Sequence, residues 1–517
     1  MAVNWTREQK QVIEGREKSL LVSAAAGSGK TAVLVERIIQ MITEGENPKD
    51  IDRLLVMTFT RAAAAEMRER IQAAIEKKLE SEPENEHLQQ QAVLVQFAQI
   101  TTIDSFCLHV MREHFDRLDI DPAFRVGDEG EMLLMRADVM DGLLEDYYRD
   151  GGKRYEEFVD AYATGKADGG IAEYVMQVYN FAQSNPWPDA WYEKCREELL
   201  LTEQGELEQT EWMQFLLRDI ALQAQEWEIQ LREAWEICQE TGGPMPYLPM
   251  IEEDLRHAEA VCGAAGSFET ISEALEQFTF SRLAAIRGKN GEVDPEKKAL
   301  VSDCRSRVKK AVEKLKGEYL FASPEQMLTD MEAGKERILE LLELAQEFGR
   351  RFRAKKKEKN VVDFHDLEHF ALEILTEPES ECSEAEETSS AEETDQMQGK
   401  NVWTVRVPGT VADELAVQYD EILVDEYQDS NLVQETLIQC ISGERFDRPN
   451  VFMVGDVKQS IYKFRLARPE LFLEKYSTYT SEESAHQKIE LHQNFRSRDH
   501  ILESINAIFY RIMTEKL

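Results

Sequence analysis

Short runs of unbroken apolar side chains mark both ends of this chain and are scarce in its middle. The first, Ser19-Leu-Leu-Val-Ser23, passes through Ser23-Ala-Ala-Ala-Gly-Ser-Gly-Lys-Thr31 into Ala32-Val-Leu-Val-Glu-Arg-Ile-Ile39. That order predicts a buried strand, a glycine-rich turn and an amphipathic helix. Residues 53–58 predict a second strand, and the alanines after Thr60, with Glu66 and Arg70 at i, i+4, predict a helix behind it. A third strand–helix unit is expected from Ile100 to Met111. Two more apolar runs, near residues 421–424 and 451–454, and the stretch from Lys488 predict further strands, the last followed by a helix toward the C-terminus. Between about 116 and 349 the strand signals fade. Glu, Leu, Ala and Trp recur there with helical periodicity, and five of the seven tryptophans fall between Trp187 and Trp235. Strand-and-helix units interrupted in this way predict an α/β domain carrying a large, mainly helical insertion. From Thr376 to Met397 the chain is acidic and low in complexity. It cannot bury enough apolar area to offset its ordering entropy, so a disordered loop is expected at about 376–400.

A turn like Ser23–Thr31 presents successive backbone N–H groups to phosphate oxygens, and the helix behind it adds about half a positive charge. Lys30 can then reach the β- and γ-phosphates while the Thr31 hydroxyl takes a magnesium ion. The strict spacing G-x-x-x-x-G-K-[ST] would put glycine at position 24, where this chain has Ala24. Ala24, Ala25, Ala26, Gly27, Ser28, Gly29, Lys30 and Thr31 together form the expected triphosphate cradle. Asp425 and Glu426 leave the end of an apolar strand, where the loops of a parallel sheet converge. Asp425 is the candidate magnesium ligand and Glu426 the candidate base for an attacking water. Gln459 is a candidate γ-phosphate contact and Arg496 a candidate source of transition-state charge. Gln9 offers the paired donor and acceptor that suit the N6/N7 edge of adenine, and Arg37 could stack on the base. Thr58, Phe59 and Arg61, with Tyr462 and Phe464 interleaved by Lys463 and Arg465, suit contact with single-stranded DNA. Solvated helix faces and core packing are the plain alternatives for Gln9, Arg37 and the aromatic residues.

Composition narrows the compartment more than the chemistry. The 517 residues allow about three domains, and no run of about eighteen apolar residues points to a membrane span. The N-terminus lacks the layout of a secretory signal. Seven scattered cysteines with no C-x-x-C pair give neither a disulfide framework nor a metal-ligand set, so a reduced, cytosolic protein is expected. The formal net charge of −40 opposes nucleic-acid binding unless a groove is locally basic. One basic run, Arg350-Arg-Phe-Arg-Ala-Lys-Lys-Lys-Glu-Lys359, is a candidate phosphate contact or else a solvated helix end.

Six ordered stretches carry a resemblance. They are Thr6-x-x-Gln9, Ala26-Gly-Ser-Gly-Lys-Thr31, Thr58-Phe-Thr-x-x-Ala63 with Glu66-Met67, Asp425-Glu-x-Gln-Asp429, Gly455-Asp-x-Lys-Gln-Ser-Ile-Tyr462 and Asn494-Phe-Arg-Ser497. In this order they resemble the UvrD/Rep-like branch of superfamily 1 helicases. The stretch Val362-Asp-Phe-His-Asp-Leu367 and the run Val424-Asp-Glu-Tyr-Gln-Asp-Ser-Asn431 look most similar to the A subunits of AddAB-type bacterial helicase–nucleases. The resemblance implies a RecA-like P-loop NTPase fold. Residues 1–115 and 356–498 would be two parts of one ATPase domain, 116–355 its helical insertion, and 499–517 the start of a second motor domain. It also implies ATP and Mg2+ as ligands, 3′–5′ translocation on DNA, repair of double-strand breaks and a partnering B subunit, in the cytoplasm and away from membranes. The family's second motor domain and the nuclease domain of these A subunits are not within these residues. The chain is therefore expected to carry the ATP-binding half, to hydrolyse slowly by itself and not to unwind. A regulatory or repair ATPase without unwinding activity, and a non-catalytic interaction fragment, are the other two readings.

Overall fold

The apolar runs become strands of a single parallel sheet. In the computed structural model, which describes residues 4–45, 47–163, 169–200, 204–264, 266–286, 293–378, 406–463 and 466–512, the strands in chain order are β1 (Ser19–Ala24), β2 (Leu54–Thr58), β3 (Ile100–Thr102), β4 (Arg125–Val126), β5 (Val361–Val362), β6 (Thr376–Pro378), β7 (Arg406–Pro408), β8 (Glu421–Val424), β9 (Val451–Gly455) and β10 (His486–Leu491). Six of them form the main sheet in the order β10-β1-β9-β8-β2-β3, every neighbouring pair parallel. Strand β1 thus lies between the two strands most distant from it in sequence. The register sets Leu20 opposite both Phe452 and Gln487.

Unbroken apolar runs follow from burial on both faces. Leu20, Val22, Leu54, Val56, Leu423, Phe452 and Val454 point into one core with helices α1 (Arg7–Glu14), α2 (Lys30–Thr43) and α3 (Arg61–Ser81). The alternate residues Leu21, Leu55, Met57, Ile422, Val424, Val451 and Met453 point into a second core. That core is closed by the helices Ile103–Glu113, Phe364–Leu375, Thr410–Gln418 and Leu432–Ile441. Period-two alternation places one strand's side chains in two different cores, so neither face can lose its helices without exposing half of every strand.

The chain divides into two compact units. The first comprises Met1–Gly151, Tyr162–Trp191 and Glu343–Leu517, and the second Gly152–Ala161 and Tyr192–Leu342. The second unit is helical, built on the 29-residue helix Glu211–Gln239 with Leu248–Gly263, Phe268–Gln277 and Pro295–Tyr319. Its core includes Leu217, Ile220, Trp227, Leu231, Phe268, Phe278, Val308 and Val312. Within it the buried carboxylate of Asp254 accepts both Nε and Nη2 of Arg305. This unit is smaller than the 116–355 insertion expected. The flanking segments instead join the first unit: β4 pairs with β5, Leu118 and Phe124 enter the second core, Trp187 packs against it, and the His369 ring meets the Gln183 carbonyl at 3.0 Å. Helical periodicity runs through both regions alike, so composition held no trace of that boundary.

Residues 376–378 of the expected acidic loop are strand β6, paired antiparallel with β7; residues 379–405 lie outside the described residues. Asp499–Ile512 forms a helix, and its Ile501, Ile505, Ile508 and Phe509 are exposed. Among the described residues no helix is long and apolar enough to cross a membrane.

One buried acid makes the first unit's stability depend on pH. Glu368, 5% exposed, accepts from Gln434 Nε2 at 2.7 Å; burial and then the Asp104 charge push its carboxyl up to about 7. The folded chain keeps this proton up to about pH 7, while the unfolded carboxyl releases it near 4.5, so stability falls as pH rises between those values. Glu368→Gln keeps the acceptor and removes the titration. Urea unfolding at pH 5 and pH 8 should therefore show a pH dependence smaller by on the order of 2–3 kcal/mol in Glu368→Gln; an unchanged difference refutes this.

Candidate nucleotide and DNA site

The site lies where β1, β8, β9 and β2 end, because parallel strands deliver their loops to one edge. The glycine-rich turn leaves β1 at Ala24. That residue is itself strand, fully buried, paired opposite Leu491 and facing the α-helical core. No positive φ is required of it, so alanine serves where the strict motif has glycine; the expectation that Ala24 contacts nucleotide is corrected to a core position. Ala25 and Ala26 are exposed, and Ser28 is buried with its Oγ unpartnered. Gly29, at φ 86°, forms the N-cap of α2, so that Lys30 opens the helix.

Gly27 is held from the far end of the chain. Asn494 Nδ2 donates to the Ala26 carbonyl at 2.7 Å, and the Phe495 N–H donates to the Gly27 carbonyl at 2.8 Å. Asn494 Oδ1 accepts the N–H groups of Arg496 (2.9 Å) and Ser497 (2.8 Å), a turn that only a short side-chain acceptor can close. Arg496 is exposed beside the P-loop. Gln9, 4% exposed, donates from Nε2 to the Ser28 carbonyl at 3.0 Å while its Oε1 accepts the Thr6 N–H at 3.0 Å. Its amide is thus built into the wall of the cradle.

The carboxylates stand opposite. Lys30 Nζ is 2.9 Å from Glu426 Oε2, bridging residues nearly four hundred positions apart. Glu426 occupies the left-handed region at φ 52°, a conformation usually left to glycine, and a 3-10 turn over Tyr427–Asp429 follows. Asp425 accepts the Glu426 N–H at 3.0 Å; burial, with the Glu426 charge, pushes its carboxyl up to about 6. A carboxylate so placed is short of positive charge, which a divalent cation would supply. Among the described residues no cluster of three or more His, Cys, Asp or Glu side chains is poised for a metal. One carboxylate and one hydroxyl, completed by phosphate oxygens and water, is the donor set magnesium takes in nucleotide sites, and Asp425 with Thr31 fits it. Gln459 is held by Asp456, its Nε2 donating to Oδ2 at 2.7 Å, at the end of β9.

Farther along the same edge, Phe59 and Tyr462 pack with ring centroids 4.6 Å apart and tilted at 39°, although 403 positions separate them in sequence (462 − 59). Phe59 is 36% exposed, and Arg61 opens α3 exposed to solvent. Phe464 lies outside the described residues.

Three further expectations are corrected. Arg37 does not reach the cradle: it is 1% exposed, its Nε meets Glu421 Oε1 at 2.7 Å, and its guanidinium covers the Phe452 ring at 5.0 Å. It is a core cation satisfied from within. Thr58 is buried, and its hydroxyl donates to the Thr60 carbonyl at 3.0 Å, shaping the turn in place of meeting DNA. Five of the seven basic residues at 350–359 are engaged in ion pairs: Arg350 with Glu347, Arg351 with Asp146, Lys355 with Glu358, Lys356 with Asp363 and Asp366, Lys357 with Asp119. Two residues of the site were not singled out from sequence. Phe495 is anchored on the P-loop with its ring 58% exposed, and Gln428 is 1% exposed between the carboxylates and β9. Each lies inside a quoted motif, which was the available signal.

Residues 5–480 match the family described as UvrD/REP helicase N-terminal domain. The chain belongs to this family. Among curated relatives, this UvrD/REP-family chain is 45% identical to the A subunit of the ATP-dependent helicase/nuclease of Lachnoclostridium phytofermentans, over 99% of its own length and 36% of the relative's. It is 42% identical to the protein of the same name in Clostridium beijerinckii and 41% identical to that in Bacillus licheniformis, again over 99% of the chain and 39% and 40% of those relatives. The chain thus spans well under half the length of these relatives.

The cradle's dependence on Asn494 is open to test. A Cβ at Gly27 would lie 2.8 Å from both Asn494 side-chain amide atoms and 2.9 Å from Arg496 Cβ, at φ +77°. Gly45 has a similar φ of +98° but open space around it. Gly27→Ala should weaken nucleotide binding by about tenfold or more, about 1.4 kcal/mol, by titration calorimetry, while Gly45→Ala leaves it unchanged. Equal effects would reduce the Gly27 argument to backbone strain alone.

Proposed function

We propose that this chain is the ATP-binding part of the DNA motor in the A subunit of a helicase–nuclease. In this reading the whole protein translocates 3′–5′ on single-stranded DNA, acts on duplex ends in double-strand break repair and recombination, and pairs with a B subunit in the cytoplasm. The observation that carries it is the Lys30–Glu426 contact at 2.9 Å across a P-loop, with Asp425 beside it and short of positive charge. Family membership and the similarity to the A subunits of helicase/nucleases support the assignment to DNA.

The residues divide the chemistry of hydrolysis. Incoming phosphates compete for Lys30, which leaves Glu426 for the β- and γ-oxygens at the N-terminus of α2. Glu426 Oε2, relieved of Lys30 and still held by Gln428 Nε2, can accept a proton from the water that attacks the γ-phosphorus. The γ-phosphorus bond to the β-bridging oxygen breaks, giving ADP and phosphate. A magnesium ion on Thr31 and Asp425 would offset the charge gathering on the phosphate oxygens. Arg496, beside the P-loop, supplies further positive charge to the same oxygens, and Gln459 is the contact that registers the γ-phosphate. Gln9 and the exposed Phe495 ring offer an edge and a face for the adenine. Phe59 and Tyr462 offer stacking surfaces to bases, each worth about 1–3 kcal/mol, with Arg61 for the backbone.

ATP hydrolysis by the purified chain with and without oligo-dT tests this. Glu426→Gln should retain ATP affinity and lose hydrolysis by about a hundredfold or more, within the range for removing a general base. Lys30→Ala should lose ATP binding. Phe59→Ala should weaken oligonucleotide affinity about tenfold, roughly one stacked base, without altering ATP affinity. Unchanged hydrolysis in Glu426→Gln would remove it from the mechanism, and wild-type chain with no affinity for ATP would overturn the proposal.

A further inference from the structure

Between the nucleotide site and the aromatic pair stands one side chain that the chemistry above does not use. Gln428 is 1% exposed, within the 3-10 turn that follows Glu426. Its Nε2 donates to Glu426 Oε2 at 2.9 Å and lies 3.3 Å from Asp429 Oδ2, and its Oε1 accepts the Asp456 N–H at 2.9 Å. A single buried amide therefore joins the loop after β8 to the end of β9. The fit is close on the β9 side: a Cβ at Gly455 would fall 2.3 Å from Gln428 Oε1, so glycine there is a condition of the contact.

The connection continues in both directions. Glu426 Oε2, which Gln428 holds, is the same atom that Lys30 holds at 2.9 Å. Asp456, whose N–H Gln428 accepts, binds Gln459 Nε2 through Oδ2 at 2.7 Å and the Lys458 N–H through Oδ1 at 3.2 Å. The turn Val457–Gln459 then leads to Tyr462, which packs at a tilt against Phe59. Any movement of Glu426 when Lys30 departs must either break the Gln428 contact or carry Asp456 with it.

We infer that Gln428 is a positioning residue that aims Glu426 and couples the nucleotide site to the Phe59–Tyr462 surface through Asp456. This rests on the ATPase and DNA reading above. Only a primary amide donates to a carboxylate and accepts a backbone N–H at the same time from this position. A glutamate would set a third carboxylate against Glu426 and Asp429, and a methionine of similar length would offer neither bond. Burial raises the stakes, because an unsatisfied Asp456 N–H or a misaimed Glu426 has no water to replace the lost partner.

Coupling is measured as a ratio of affinities, which a merely structural role would not move. Binding of the 517-residue chain to fluorescein-labelled oligo-dT is followed by anisotropy, with and without saturating Mg2+ and AMP-PNP. Binding of the analogue alone is measured separately. In the wild-type chain the analogue should change oligonucleotide affinity by about fivefold or more, the low end of ordinary coupling between sites. In Gln428→Glu and Gln428→Met that ratio should fall to within about twofold of one, whatever the change in each ligand's separate affinity, while the circular-dichroism spectrum is unchanged. Two variants guard against one failing to fold. A wild-type ratio kept in a folded variant overturns the inference, as does a wild-type ratio of one with both ligands bound. Wild-type chain that binds no analogue defeats the ATPase reading itself, and with it this one, and is recognised by the separate titration.

Discussion

The placement of β1 between β9 and β10 is the constraint on which everything else depends. A strand near the N-terminus is hydrogen-bonded on both sides to strands from the other end of the chain, with Val22 opposite Val454 on one side and Ile489 on the other. That pairing sets the P-loop beside the loop that bears Asn494 and Arg496. The adjacent pairing of β9 with β8 then brings Asp425 and Glu426 to the same edge. The long segment between β3 and β8 is tolerated because the pairings of β8 with β2 and β9 close over it in register. Loop-closure entropy grows only slowly with loop length, so long excursions cost little once the sheet is formed.

The electrostatics follow the same logic of local supply. A chain of formal charge −40 places many of its cations where they are answered by carboxylates: Arg37 on Glu421, Lys356 on Asp363 and Asp366, Lys475 on Glu435. These pairs are buried or, at Asp366 and Lys475, half-buried, and each holds two elements of the first unit together. The exception in kind is Lys30, whose pairing with Glu426 engages two groups that have separate work to do. Beside them Asp425 is pushed upward by burial and a like charge, a local deficit of positive charge at the point where phosphates and their cation would arrive. Local charge at the cradle, not the whole-chain total, therefore decides what this surface attracts.

Much of the fold was legible because its signals are local. Continuous apolar runs marked β1, β2, β8 and β9, and the glycine-lysine-threonine turn marked the start of α2, since a helix N-terminus behind a tight turn leaves little choice of residues. The helical character of the insertion was equally plain from periodicity. Its limits were not, because helices of both units bury apolar stripes and expose charged ones alike. Arg37 and Thr58 show the same limit at single residues. An arginine on the P-loop helix reads as solvent-facing until Glu421, 384 positions away (421 − 37), is seen to neutralise it in the core.

What the sequence determined by itself was the set of chemical groups and the short-range geometry of each loop: the cradle, the paired carboxylates, the aromatic residues near 59 and 462. Those depend on neighbours a few residues away, and backbone sterics and hydrogen-bonding capacity fix them. What only the tertiary structure decided was which groups meet. Lys30 against Glu426, Asn494 on Ala26, Phe59 on Tyr462 and Gln428 between Glu426 and Asp456 all arise from strand order and register. Strand order is set by the simultaneous burial of both sheet faces, a property of the whole chain that no window of sequence contains.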